Sequence, residues 1–276
     1  MPNASTAMAP QAVQSMAQPK VEFQRLGKRF HRGSEAVTVM EGLDLTIREG
    51  EFVCVVGPSG CGKSTLLNMS AGLMRASAGK VLYDGAPVPE PNTKVGYITQ
   101  KDNLMPWRTV KANIELPLQI RGAAKAEREQ RVKEMIQLVG LAGFEKALPS
   151  ELSGGMRKRV TLARTLVYQP EVIFADEPFG ALDAQLRAIM QQELLRIWSA
   201  SKSTVVFITH DISEAVALGD RVVVLSARPS RVKVDVPIDL PRPRDLSKLR
   251  FQKRFNELNE YLWSVLAEDL NAGDEV

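Results

Sequence analysis

Nine consecutive residues, Gly57-Pro58-Ser59-Gly60-Cys61-Gly62-Lys63-Ser64-Thr65, set three glycines ahead of a lysine and two hydroxyls. The order satisfies the GxxxxGK[ST] spacing of a phosphate-binding loop. Its glycines let the backbone curl until successive N–H groups converge on phosphate oxygens. Lys63 would reach the β and γ phosphates, and the Ser64 hydroxyl would ligate Mg²⁺. The chemistry is nucleoside triphosphate binding. A second group is acidic: Asp176 and Glu177 end the apolar run Val172-Ile173-Phe174-Ala175. Carboxylates at the end of a buried strand suit a Mg²⁺ shell (Asp176) and the orientation and deprotonation of an attacking water (Glu177). A third group, Leu152-Ser153-Gly154-Gly155-Met156, combines a hydroxyl, two small residues and the start of an Arg-rich helix, which makes a second anion cradle.

These groups need elements to hold them. Phe52-Val53-Cys54-Val55-Val56 runs directly into Gly57 and is apolar throughout, as expected of a strand buried on both faces of a parallel sheet. A helix is predicted over 63–74, stopping near Ala71-Gly72. Residues 172–175 and 204–208 read as further buried strands, and 21–26, 37–47, 81–83, 95–98, 222–225 and 232–236 as the rest. The chain reads as helical from about 109 to 168, with Val132, Met135, Ile136 and Val139 on one helical face. Helices are predicted over 182–199 and 211–218, and again in the tail through Tyr261, Leu262, Val265 and Leu266. Alternating strands and helices predict an α/β fold around a largely parallel sheet.

With 36 Lys+Arg against 32 Asp+Glu and 44% hydrophobic residues in 276, the composition excludes disordered and collagen-like classes. A net charge of +4 does not by itself indicate nucleic acid; a mildly basic face toward anionic lipid or an acidic partner fits equally well. Cys54 and Cys61 have neither zinc spacing nor a disulfide framework and read as reduced thiols. No apolar run approaches the roughly 18 residues that span a bilayer. The stretch 1–19 lacks Lys and Arg, so no secretory signal is expected, and its Ala, Gln, Ser and Pro content predicts a disordered arm.

Leu152-Ser153-Gly154-Gly155-Met156 resembles the signature motif of ATP-binding cassette proteins, and other family elements occur in the family's order. Gln100, after Thr99, resembles the Q-loop glutamine. Ala181-Leu182-Asp183 resembles the D-loop, and His210, after Phe207-Ile208-Thr209, the switch histidine. The resemblance implies a RecA-like P-loop NTPase core with a largely parallel sheet, an antiparallel β subdomain, and a helical subdomain (about 101–168) carrying the signature. The ATPase domain would occupy 20–226, and 227–276 would form a C-terminal strand and helical tail packed on it, with arginines near lipid head groups. ATP and Mg²⁺ are implied. Residues 57–65 would hold ATP, with Phe30 stacked on adenine, or Phe23 under a shifted register. Ser64, Gln100 and Asp176 would surround the metal; Glu177, His210 and Gln100 would act in catalysis, with Asp183 in the D-loop. Two chains would face head to tail, so that Ser153, Gly154, Gly155 and Met156 act on ATP held by the other copy. Met156 departs from the family's usual Gln, and Ala175 from a larger aliphatic.

The resemblance further implies a homodimer working with two transmembrane permease subunits and a periplasmic or lipoprotein substrate-binding protein. The chain would lie peripherally on the cytoplasmic face of the cell membrane, with no nucleic-acid partner. Asn103-Leu104-Met105-Pro106-Trp107 and the helices after it would form the groove for a permease coupling helix. Together with Phe179-Gly180-Ala181-Leu182-Asp183-Ala184 and the Asp-Leu-Pro-Arg-Pro-Arg tail, these features resemble the nitrate, sulfonate and taurine importer group, which carries small anions and related organic compounds. The alternatives are a soluble cassette ATPase of DNA repair or translation, and the ATPase of an exporter or lipid-trafficking complex. The former usually carry paired cassettes or coiled-coil insertions, and neither occurs here.

Overall fold

The computed structural model describes residues 18–33, 35–180, 182–201 and 203–271. The expected N-terminal arm up to residue 17, and Ala181 of the D-loop, lie outside the described residues. Among the described residues ten strands follow in chain order: β1 (Pro19–Arg32), β2 (Glu35–Arg48), β3 (Phe52–Val56), β4 (Ala78–Tyr83), β5 (Ala86–Pro87), β6 (Val95–Ile98), β7 (Val172–Asp176), β8 (Thr204–Ile208), β9 (Arg221–Leu225) and β10 (Val232–Pro237). They make two sheets. One is antiparallel, in the order β2-β1-β4-β5; the other runs β10-β9-β3-β8-β7-β6 and is parallel except where β10 pairs with β9.

All five residues of β3 are buried. Successive strand side chains point to opposite faces, so Phe52, Cys54 and Val56 join one apolar cluster and Val53 and Val55 another. The first cluster is closed by α5 (Ala184–Ser201), α6 (Ile212–Leu218) and α8 (Lys253–Asn271), through Leu194, Trp198, Ala215, Leu218 and Leu262. The second is closed by α1 (Lys63–Ser70) and the antiparallel sheet, through Leu66, Leu67, Phe23, Leu43 and Ile47. A separate cluster joins α2 (Val110–Ile120), α3 (Lys125–Leu138) and α4 (Gly154–Leu166) through Ile114, Val132, Ile136 and Val160. Helix α4 also sends Leu162 and Leu166 into the first cluster, so it bridges the helical layer and the sheet.

Four expectations change. Helix α1 stops at Ser70, before the expected residue 74, because the chain turns at Gly72 (φ +67°), where a Cβ would meet the Pro89 carbonyl. Strand β1 outruns 21–26 because pairing with both β2 and β4 carries it through Gly27-Lys28-Arg29 by way of irregular register. Its start at Pro19, with the Gln18 carbonyl accepting from the Glu49 N–H (3.0 Å), takes the end of the expected arm into the sheet. Strand β10 is a member of the main sheet rather than an element packed on it.

The tail arginines also differ from expectation. Arg244 is buried and donates to the carbonyls of Val216, Ala217 and Gly219 at the end of α6; burial pushes its pKa down to about 10. Arg242 binds Asp220 and the Leu218 carbonyl. These cations cap the C-terminus of α6 and are committed to the fold instead of to lipid. The short α7 (Leu246–Leu249) follows them, with the Asp245 side chain accepting from the Ser247 N–H.

Candidate functional site

Because β3, β8, β7 and β6 are adjacent and parallel, their C-terminal ends share one edge. Residues 57–65 follow β3, His210 follows β8, Asp176 and Glu177 end β7, and Gln100 follows β6. Neighbouring strands lie about 4.8 Å apart. Four groups far apart in sequence therefore line the edge at which open α/β sheets bind ligands.

The phosphate loop is shaped by its glycines. Gly62 caps α1 with φ +109°, and a Cβ there would come 2.6 Å from Val39 Cγ1. Strand β2 thus presses on the end of the loop. Lys63 is buried, its ammonium donating to the carbonyls of Gly57 (2.8 Å) and Pro58 (3.0 Å). Cys61 turns its thiol into the core, and burial pushes that thiol up against the opposing pull of Lys63 and Arg228. Cys61 can therefore serve a ligand only through its backbone. From the β9–β10 connection, Arg228 Nε donates to the Gly60 carbonyl.

The loop meets the acidic pair where Ser64 neighbours Asp176 and its hydroxyl favours the charged carboxylate. Burial pushes the Asp176 carboxyl up, Glu177 adds to the rise, and Ser64 and Lys63 oppose it. Among the described residues no group of three or more His, Cys, Asp or Glu could hold a metal. A hydroxyl and a carboxylate neighbouring each other beside a phosphate loop fit Mg²⁺, which is usually shared between one or two protein oxygens and phosphate oxygens. Gln100 is exposed beyond β6, with an amide oxygen suited to the same ion.

Glu177 has φ +45°, with its N–H donating to the Ile208 carbonyl (3.0 Å). A left-handed backbone costs a non-glycine residue about 1 kcal/mol. Here it is held by β8 and by the Gly180 N–H donating to the Glu177 carbonyl at 3.3 Å. The side chain brings Oε2 to 3.2 Å from His210 Nδ1. A carboxylate so paired can orient a water and accept its proton, while the imidazole fixes the carboxylate.

Ser153 caps α4, accepting from the Met156 N–H (3.3 Å), and Gly154 is exposed beside it. Gly155 is buried, and a Cβ there would fall 1.9 Å from Leu186 Cδ2 on α5. Asp183 Oδ1 accepts from the Leu186 N–H (2.9 Å), so the signature residues lean on the start of the D-loop helix. Phe30 is 39% exposed near the end of β1, with Lys28 Nζ 5.0 Å from its ring centroid, whereas Phe23 is buried. Of the two, Phe30 is the one open to a base.

Two further residues were not singled out from sequence. Arg228 carries no local signal, since Gly60 is remote in sequence. Lys158 did carry one: it shares the buried face of α4 with Gly155, Thr161, Leu162 and Thr165, where a cation is out of place without acceptors.

A family profile described as ABC transporter matches residues 40–180. A Methanocaldococcus jannaschii protein named as an uncharacterized ABC transporter ATP-binding protein is 50% identical over 232 residues, 84% of this chain and 87% of that one. The aliphatic sulfonates import ATP-binding protein SsuB of Bacillus cereus is 42% identical over 233 residues, 84% of this chain and 92% of the relative. Among solved structures, the dimeric post-hydrolysis state of the ATP-binding cassette MJ0796 bound to ADP and Pi matches with a TM-score of 0.71 at 33% identity. That match covers 80% of this chain and 100% of the other.

Proposed function

The chain belongs to the ATP-binding cassette family of ABC transporters and is an ATPase, and on that premise we propose that it drives a bacterial importer as a homodimer sandwiching two ATP. The observation that carries the reading is the Glu177–His210 pair at 3.2 Å, on the same sheet edge as Ser64 and Asp176. It supports water attack on a γ-phosphate held by residues 57–65, with Glu177 as base and His210 holding it. Mg²⁺, held by Ser64, Asp176 and Gln100 together with phosphate oxygens, would supply charge neutralisation when bound. Phe30 stacks on adenine. Ser153, Gly154, Gly155 and Met156, with Asp183 nearby, serve the nucleotide of the other copy.

Among the described residues no helix is long and apolar enough to cross a membrane, which supports spans supplied by permease subunits and a peripheral place on the cytoplasmic face. A groove of ≈ 690 Å³, lined in part by Tyr97, Asn103, Met105, Ile120 and Tyr168, suits a permease coupling helix. Trp107, two residues beyond Met105, is 73% exposed. The cargo on this reading is a small anion such as nitrate, sulfonate or taurine, or a related small organic compound, delivered by a substrate-binding protein; the name of the Bacillus relative supports the sulfonate. Glu177→Gln is expected to retain ATP, lose turnover and elute as a dimer from gel filtration with ATP. Monomeric elution would overturn the shared site. Tagged chain recovered from its membrane should bring a permease; ribosomes or DNA instead would overturn transport.

A further inference from the structure

Lys158 lies five residues beyond Ser153 on α4 and is 3% exposed. A lysine seldom leaves water, because its compact charge is strongly hydrated. Here protein acceptors replace that water. The ammonium donates to the carbonyls of Thr99 (3.1 Å) and Gln100 (2.8 Å) and lies 3.5 Å from the Asp102 carboxylate. Burial pulls its pKa down and Asp102 pulls it back up. Other side chains of α4 grip the segment that follows. Arg157 meets the Asp102 carboxylate (3.4 Å), Thr161 Oγ1 donates to the Asp102 carbonyl (3.0 Å), and Arg164 donates to the Asn103 carbonyl (2.8 Å). Lys158 is the member of this set that reaches Gln100 itself.

We propose that Lys158 is a positioning residue joining the two half-sites that one chain contributes: Gln100, for the ATP on its own phosphate loop, and residues 153–155, for the ATP on the other copy. The inference rests on the head-to-tail reading above and deepens it. Five residues of helix span only about 7.5 Å, so a shift of the Gln100 carbonyl is carried by rigid backbone to the Ser153 cap. Hydrogen bonds from an ionised donor are roughly twice as strong as neutral ones, so the link holds when the loop is pulled. The binding of Mg²⁺ with nucleotide at one site would thereby bias the placement of the signature at the other.

The test is Lys158→Met, which keeps the stem and removes the donors. Nucleotide affinity of the monomer should stay at the wild-type value, because the phosphate loop is untouched. The Mg²⁺ concentration for half-maximal ATPase should rise about fivefold or more, the lower end of usual coupling between sites. In the Glu177→Gln background, the ATP concentration for half-maximal dimerisation should rise by a similar factor. Lys158→Gln, which retains an N–H donor, should recover most of both. A residue that only braces the fold would lower the melting temperature and leave both midpoints in place; that result, or a shift in one midpoint without the other, overturns the proposal. Should Lys158→Met fail to fold, Lys158→Ala, which also removes the donors, replaces it: shifts in both midpoints support the proposal, and wild-type values overturn it. Failure of Glu177→Gln alone to dimerise would instead sink the head-to-tail reading, and the Mg²⁺ midpoint would then decide on its own whether Lys158 holds Gln100.

Discussion

The two loops we propose as anion cradles, the phosphate loop and the signature loop, both lie at helix N-termini, yet the fold secures them in opposite ways. The first is enforced by backbone and burial: β3 is buried at every residue, Gly62 sits against Val39, and the Lys63 ammonium is held by loop carbonyls. The second is open at Ser153 and Gly154, and its helix is tied to the segment after β6 by side-chain hydrogen bonds from Arg157, Lys158, Thr161 and Arg164. A cradle for the chain's own ligand can be set in the core. On the head-to-tail reading we propose, a cradle for a ligand on another copy is better placed on a separately packed layer. Side-chain ties can pass a shift of the segment after β6 to that layer, whereas buried strands cannot shift without opening the core.

The hardest blow to this contrast would come from Lys63→Ala. Loss of a charge-assisted contact of ~3 kcal/mol should weaken nucleotide binding by about 100-fold, read by titrating the monomer with a fluorescent nucleotide. Unaltered affinity would sink the phosphate-loop assignment. A finer comparison makes the same substitution in both cradles. Gly62→Ala forces a left-handed backbone onto alanine and a Cβ onto Val39, so a stability loss of about 2–3 kcal/mol is expected. In Gly154→Ala the new Cβ meets Arg157 Nη2 at 3.7 Å, an ordinary contact. Its melting temperature should match the parent, whatever happens to turnover. Equal falls in thermal melts would erase the proposed difference between the loops.

What could be read from the chain follows the same division. The buried strands 52–56 and 204–208 show themselves as apolar runs because both faces are covered, and residues 57–65 show themselves because their chemistry needs a fixed local spacing. Strand β1 does not, since its length is set by partners on β2 and β4. Lys158 and Arg228 bond to carbonyls far away in sequence, so their partners were hidden even where the misplaced charge was visible. The arginines of the tail look like a surface feature until α6 supplies the carbonyls they cap.

The phosphate side also carries the cost of a buried carboxylate. Burial raises the folded pKa of Asp176, so the folded chain binds that proton more tightly than the unfolded chain does. Ionisation then weakens the fold as pH rises from the unfolded value, about 3.9, through the raised folded value, and the penalty is complete above it. Asp176→Asn carries no such charge and can still accept from Ser64. It should melt above the parent at neutral pH, with the gap closing as pH falls toward the unfolded carboxylate value, while ATPase activity is lost. Melting curves at several pH values decide it. A variant less stable than the parent at neutral pH would mean that Lys63 and Ser64 outweigh the desolvation.

The smallest expected effect lies at Met156. Its N–H, not its side chain, bonds Ser153, and the thioether packs partly buried against the helical-layer cluster. Met156→Gln should therefore cost less than about 1 kcal/mol, because part of that apolar contact is exchanged for a polar amide at a half-buried place. Turnover should stay within about twofold of the parent if only the backbone cradle matters there. A change in turnover of tenfold or more, with stability unmoved, would show that the side chain at 156 reaches the other copy's nucleotide. The signature loop would then depend on side-chain chemistry at its ligand as well as in its tether, and the contrast with the backbone-built phosphate loop would be sharper still.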